Sequence, residues 1–153
     1  MKILVSACLL GENCKYSGGN NYNQAVCDFA RGHQVVPVCP EVLGGLPTPR
    51  CPAEIVQGVV TNKEGINVDR EFRAGAAKAL AIAKENGVEL VILQSRSPSC
   101  GVKEIYDGTF SGTKIPGQGV FAKMLMDEGI RVLDAGELPK IILKNEDEKC
   151  QSD

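Results

Sequence analysis

The stretch Lys2-Ile3-Leu4-Val5-Ser6-Ala7-Cys8 decides the fold. A short aliphatic run without polar alternation is the pattern of a strand buried on both faces, and such strands belong to parallel sheets covered by helices. Working outward, residues 34–38 (Gln-Val-Val-Pro-Val), 90–93 (Leu-Val-Ile-Leu) and 130–133 (Ile-Arg-Val-Leu) read as three further strands. Helical patterns lie between them. Residues 22–31 carry Val26, Phe29 and Ala30 on one face, with Gly32 as the stop. Residues 69–86 form the clearest helix, with a stripe of Phe72, Ala76, Ala79, Leu80 and Ala83, a cap at Asp69 or Asn67, and Gly87 as its stop. Residues 119–127 form a third helix, closed by Gly129. Residues 11–20, 41–52 and 94–116 read as long loops, and 59–68 as a small hairpin turning at Lys63-Glu64-Gly65.

Strands alternating with helices predict an α/β fold: a single-domain, parallel, Rossmann-like sheet of about four strands with helices on both faces and right-handed crossovers. The domain is expected to span residues 1–144, followed by a charged C-terminal tail over 145–153. In this architecture ligands bind at the carboxyl ends of the strands.

A chain of 153 residues with 43% hydrophobic and 24% charged residues fits one domain with a sufficient core. Its net charge of −2 argues against a nucleic-acid polymer as partner, which would ask for a basic excess. No apolar run approaches the roughly 20 residues of a membrane span. The one histidine, His33, excludes zinc hydrolases built on two or three His ligands and reads as a surface residue in a helix–strand turn.

The unusual quantity is cysteine: Cys8, Cys14, Cys27, Cys39, Cys51, Cys100 and Cys150. An odd number in a chain with ordinary core patterning is not a secreted disulfide scaffold. Val5-Ser6-Ala7-Cys8 looks like a lipoprotein cleavage box, but only Ile3, Leu4 and Val5 precede it as apolar residues, against about 7–15 in a signal segment. The expected compartment is therefore the reducing cytoplasm, with the cysteines as thiols or metal ligands. There is no C-x-x-C pair, so zinc ribbons and thioredoxin-type motifs have no support. Cys8-x5-Cys14 lacks the arginine of a tyrosine-phosphatase loop. Gly117-Gln118-Gly119 is helix-start geometry rather than a phosphate loop. Cys27 reads as core and Cys150 as a tail residue without a role.

Three cysteines fall at strand ends. Cys8 ends the first strand, Cys39 the second, and Cys100 follows the third by seven residues. In a parallel sheet these ends share one edge, so the thiols converge where the fold builds sites. Thiolates are soft ligands suited to zinc, copper(I) or iron–sulfur clusters, and three of them leave a metal position open. The alternative for any one of them is a small buried hydrophobe. Glu41 and Arg50 lie in the loop after Cys39, while Arg96, Ser97 and Ser99 precede Cys100; a carboxylate is the natural proton-transfer group where histidine is scarce.

Three motifs carry a resemblance. Val5-Ser6-Ala7-Cys8-Leu9-Leu10-Gly11, the block from Cys39-Pro40-Glu41 through Gly44-Gly45-Leu46-Pro47-Thr48-Pro49-Arg50, and Ser95-Arg96-Ser97-Pro98-Ser99-Cys100-Gly101 are similar to the thiouracil desulfidase family of the TudS type, over residues 3 to about 138. Lys15-Tyr16-Ser17-Gly18 stands where that family has an Arg-Tyr-Asp-Gly-like sequence. The resemblance implies a 4Fe-4S cluster held by Cys8, Cys39 and Cys100 with one iron free. It also implies Glu41 as acid/base and Ser97 as a hydroxyl positioning substrate or sulfide. The implied reaction removes sulfur from a thiolated nucleobase or nucleoside such as 2-thiouracil or a 4-thiouracil/thiouridine-type compound, giving the oxo base and hydrogen sulfide. Arg50, Arg96, Ser99 and loop N–H groups are candidates to hold the base edge or a phosphate. Cys14 and Cys51 share the loops of Cys8 and Cys39, and either can replace an assigned ligand. Two other classes remain: a non-catalytic sulfur or cluster carrier, and a zinc-stabilised binding domain.

Overall fold

The computed structural model describes residues 1–138. In chain order the elements are β1 (Lys2–Ser6), α1 (Gln24–Ala30), β2 (Gln34–Val38), α2 (Pro40–Leu43), β3 (Ala53–Val56) and β4 (Val59–Asn62). They continue with α3 (Asp69–Glu85), β5 (Leu90–Leu93), β6 (Glu104–Tyr106), β7 (Lys114–Pro116), α4 (Val120–Asp127) and β8 (Val132–Asp134). Residues 139–144 of the expected domain, the expected tail at 145–153 and Cys150 lie outside the described residues.

The main sheet has the order β2-β1-β5-β8, and all three pairings are parallel. Ile3 sits between Val35 and Leu90, and Val5 between Pro37 and Ile92, so β1 is central. Alternate residues then go to opposite faces. Leu4, Val91 and Leu93 pack with Phe72, Ala76, Ala79 and Ala83 of α3 and with Phe121 and Leu125 of α4. Ile3, Val5, Leu90 and Ile92 pack with Val26 and Ala30 of α1 and with Leu138. Helices therefore cover both faces, in agreement with the doubly covered strands read from the sequence. Strand order reverses at β1, whose neighbours β2 and β5 are reached by crossovers in opposite directions along the sheet. The open edge beside the carboxyl end of β1 is thus the expected ligand position.

Several details differ from the sequence reading. The loop expected over 41–52 begins with a helical turn, α2, because Pro40 at its first position pre-sets φ and forfeits no hydrogen bond there. The hairpin expected at 59–68 is real only in part. Asn62 and Ile66 share a backbone bond and Thr61 bridges Asn67, but the ladder partner of β4 is β3, through a turn at Gln57-Gly58. Gln57 takes a left-handed backbone (φ 49°), which no residue type advertises. The loop expected over 94–116 contains a second antiparallel hairpin, β6–β7. The N-cap of α3 is Val68, without a side-chain bond: Asn67 Oδ1 accepts the Asp69 amide, and Asp69 Oδ1 accepts the Val60 amide of β4 instead of capping its own helix.

One contact positions everything that follows. A Cβ on Gly75 of α3 would lie 1.8 Å from the Pro40 carbonyl oxygen, and one on Gly44 would lie 2.0 Å from that of Glu71. Backbone rests on backbone, so α2 is seated on α3 with no side chain between them. No helix among the described residues is long and apolar enough to cross a membrane.

Candidate active site

Three strand ends feed one cavity. After β1 the chain enters a short 3-10 turn containing Cys8. After β2, Cys39 is the N-cap of α2, which places Glu41 in its first turn. After β5 the chain reaches Ser97-Pro98-Ser99-Cys100 against the start of α4. The N-cap of that helix, Gly119, has no room for a Cβ, which would lie 2.5 Å from the Ser99 carbonyl carbon. Ser6 Oγ accepts the Gln94 amide at 3.1 Å and ties the ends of β1 and β5 together.

The cavity so formed has a volume of about 550 Å³, and Cys8, Cys14, Cys39, Cys100 and Glu41 all line it. Cys51 is not among its lining residues, whereas Cys14 is, so of the two alternative thiols the structure brings only Cys14 to the site. Hydrogen bonding with the Cys14 side chain is the main reason Cys8 is lowered to about 7 and Cys39 to about 6, while Cys14 itself is pushed well above its ordinary range. Cys8 also accepts from Asn21 Nδ2 at 3.5 Å. Cys100 is the opposite case: burial pushes it up to about 12. Cys8 and Cys39 thus lose their protons more readily than a free cysteine, and the buried Cys100 holds its proton more tightly.

A carboxylate stands beside them. Glu41 Oε1 accepts from Arg50 Nε at 3.1 Å, and Oε2 accepts from Ser99 Oγ at 2.8 Å. The pair is nearly closed off, with side chains 15% and 7% exposed. Arg50 also donates from Nη1 to the Pro47 carbonyl and Thr48 Oγ1, and from Nη2 to the Cys14 carbonyl at 2.9 Å. It therefore acts as a clamp that joins the Cys14 loop, the Pro-rich loop and Glu41.

The serines form a directed chain. The Ser99 proton goes to Glu41, so in the 3.1 Å contact between the two hydroxyls Ser97 is the donor. Ser97 Oγ in turn accepts the Cys100 amide at 2.6 Å. The carboxylate is thereby linked through Ser99 and Ser97 to the backbone of a candidate ligand. Arg96 lines the cavity too, but its side chain is about half exposed and pairs with Glu104 at 3.3 Å.

Residues that the sequence reading did not single out complete the walls: Asn21, Glu54, Lys63, Tyr106 and Phe110. The last four come from the two hairpins and the turn after β4, and nothing in their spacing marks them. Among the described residues no group of three or more His, Cys, Asp or Glu side chains is placed to hold a single metal ion. A four-iron cluster asks for something else, thiols standing apart around a space with softer donors than oxygen. The donor set and the volume of this cavity fit that group.

Comparison with known proteins agrees over nearly the whole length. The family described as 2-thiouracil desulfurase matches residues 3–137. The Bacillus subtilis (strain 168) protein YbbK is 43% identical over 150 residues, covering 92% of this chain and 99% of the relative. A solved structure, a 4Fe-4S-dependent thiouracil desulfidase named TudS, is 37% identical and superposes with a TM-score of 0.85 over 95% of this chain and 97% of its own. The motifs, the sheet and these matches lead to one statement: the chain belongs to the 2-thiouracil desulfurase family.

Proposed function

We propose that this protein is an iron–sulfur-dependent hydrolytic desulfidase. It takes sulfur from thiolated pyrimidines, 2-thiouracil or 4-thiouracil/thiouridine-type compounds, and releases the oxo base and hydrogen sulfide. The carrying observation is that Cys8, Cys39 and Cys100, from three separate strand ends, line one cavity with Glu41. These thiols would hold the 4Fe-4S cluster, which when bound supplies a soft Lewis acid that prefers thiocarbonyl sulfur to carbonyl oxygen.

The chain's own residues account for the rest. Each oxygen of Glu41 accepts one hydrogen bond and keeps further acceptor capacity, so the carboxylate can take a proton from a water that attacks the thiocarbonyl carbon and return it to departing sulfide. Arg50 fixes that carboxylate and shuts bulk water out from behind it. Ser97 and Ser99 hold the Cys100 loop against Glu41 and line the cavity that would receive the substrate. Arg96, held only by a half-exposed ion pair, is the arginine free to turn toward a base edge or phosphate. Oxygen replaces sulfur without net electron transfer.

The six cysteines of the described residues are all free thiols, which with such a cofactor suits a reducing cytoplasm. The partner is a small thiolated nucleobase or nucleoside rather than a nucleic-acid polymer. Protein purified without oxygen is expected to be brown, to contain iron and acid-labile sulfide, and to release sulfide from 2-thiouracil or 4-thiouracil over many turnovers. Release of one equivalent only would make it a carrier, and colourless protein with one zinc would make it a binding domain.

A further inference from the structure

Phe110 stands apart from every other phenylalanine in the chain. The composition has four Phe, three Tyr and no Trp. Phe72 and Phe121 are fully buried in the core on one face of the sheet, and Phe29 packs against the core on the other. Phe110 belongs to neither core and lines the cavity, as does Tyr106 from the same hairpin. Its backbone is left-handed, with φ 57°, a conformation that costs a side-chain-bearing residue free energy and persists only where the surroundings enforce it. Three non-glycine residues among those described adopt such a φ, and two of them, Arg96 and Phe110, line this cavity.

The enforcing contacts are on the neighbouring hairpin. Glu54 Oε1 accepts the amides of both Gly108 and Phe110, at 2.9 and 3.2 Å. Gly108, at φ 92°, lies so close to β3 that a Cβ there would be 2.7 Å from the Ile55 carbonyl oxygen. Asp107 and Thr109 tighten the same turn. A turn pinned at this number of points serves no core, so the apolar ring it holds in the cavity wall is there for what enters the cavity.

We propose that Phe110, in the same cavity wall as Tyr106, is the stacking surface that selects a flat, conjugated heterocycle, and that Glu54 is the positioning residue that keeps it in place. This rests on the reading that thiolated pyrimidines are the substrates, and it adds how the site tells an aromatic ring from a puckered one. A planar π-system against an aromatic side chain gains contact and electrostatic complementarity that a saturated ring of the same composition does not.

The test compares KM and kcat of holoenzyme for 2-thiouracil and for 5,6-dihydro-2-thiouracil, which keeps the thiocarbonyl but loses the flat ring. Wild type is expected to favour the planar compound through KM. Phe110→Leu, which keeps apolar bulk, is expected to raise KM for 2-thiouracil ~10-fold, with kcat within about twofold, and to bring the KM ratio of the two compounds near one. Phe110→Tyr restores the preference. Glu54→Ala reproduces the Leu variant, whereas Glu54→Gln, which retains an acceptor oxygen for both amides, behaves as wild type. An unchanged ratio in Phe110→Leu, or Phe110→Tyr as defective as Phe110→Leu, overturns the proposal while leaving the desulfidase reading intact. Failure of wild-type holoenzyme to release sulfide from either compound overturns that reading and this inference with it.

Discussion

The two walls of the cavity are built by different means. The strand-end wall carries Cys8, Cys39, Cys100 and Glu41, and behind it stand residues fully withdrawn from water, with Ile3, Leu4, Val5, Val91, Ile92 and Leu93 at 0% exposure. The hairpin wall carries Glu54 and Tyr106 on strands of four and three residues and Phe110 in the turn between β6 and β7. None of the residues of β3 is buried, and all of β7 is exposed. Burial gives the first wall its rigidity, whereas point contacts, such as Glu54 with two amides and Asp69 with Val60, give the second its shape. On the proposed reading, the chemistry draws on the former and ring recognition on the latter.

The largest effect is expected from removing a strand-end thiol. Cys100→Ala should abolish iron and acid-labile sulfide in anaerobically purified protein, and turnover with them, while Cys51→Ala, outside the cavity, leaves metal content unchanged. Iron retained at the wild-type level in Cys100→Ala would move that ligand to another thiol, with Cys14 the candidate in place. Next comes the carboxylate. Glu41→Gln should keep the colour and iron content but lower kcat on the order of 10²-fold or more, as removal of a general acid/base does. Full activity in that variant removes Glu41 from the chemistry.

A smaller effect probes the support of the rigid wall. Gly75→Ala forces α2 off α3 and should cost about 2 kcal/mol, as overpacking does, or a Tm fall of roughly 4–8 °C for a chain of this size. Activity should fall with it, because Cys39 and Glu41 ride on α2. The smallest effect probes the adaptable wall. Desolvation raises the Asp69 carboxyl, but the Val60 amide and Arg73 outweigh it and hold it below its usual value. A depressed folded-state value stabilises above the unfolded carboxylate range, near pH 4, and that contribution is lost as pH falls through the lower folded value. Asp69→Ala should therefore cost about 1 kcal/mol at pH 7, and its Tm difference from wild type should shrink toward pH 3. A difference that stays constant with pH would mean the carboxylate is not what ties β4 to α3.

The rigid wall was also the legible one. Leu90–Leu93 is a strand over the bounds read from its apolar run, because burial of all four residues leaves no polar position to blur the pattern; Gln34–Val38 keeps its bounds as well, as an edge strand with Gln34 and Pro37 exposed. A thiol that follows such a run can be placed in space from the sequence, which is why Cys8, Cys39 and Cys100 were found together. The adaptable wall left no such trace. Lys114–Pro116 alternates nothing, since every residue is exposed. The turn at Gln57-Gly58 depends on a left-handed glutamine, and the sequence instead offered Lys63-Glu64-Gly65. The bonds from Arg50 and Ser99 to Glu41 span nine and fifty-eight residues, and no local spacing encodes them. Arg50, read as a substrate arginine, is largely taken up with Glu41 and backbone carbonyls.

The seat of α2 on α3 has one more implication. With Gly75 against the Pro40 carbonyl and Gly44 against that of Glu71, nothing compressible separates the two helices. The backbone under Glu41 therefore inherits its coordinates from a seventeen-residue rod packed on the sheet, while its carboxylate is held by Arg50 of the proline-rich segment that follows. Changes between Gly45 and Pro52 that keep Arg50 in place can thus reshape the rim while the backbone of Glu41 stays where α3 seats it.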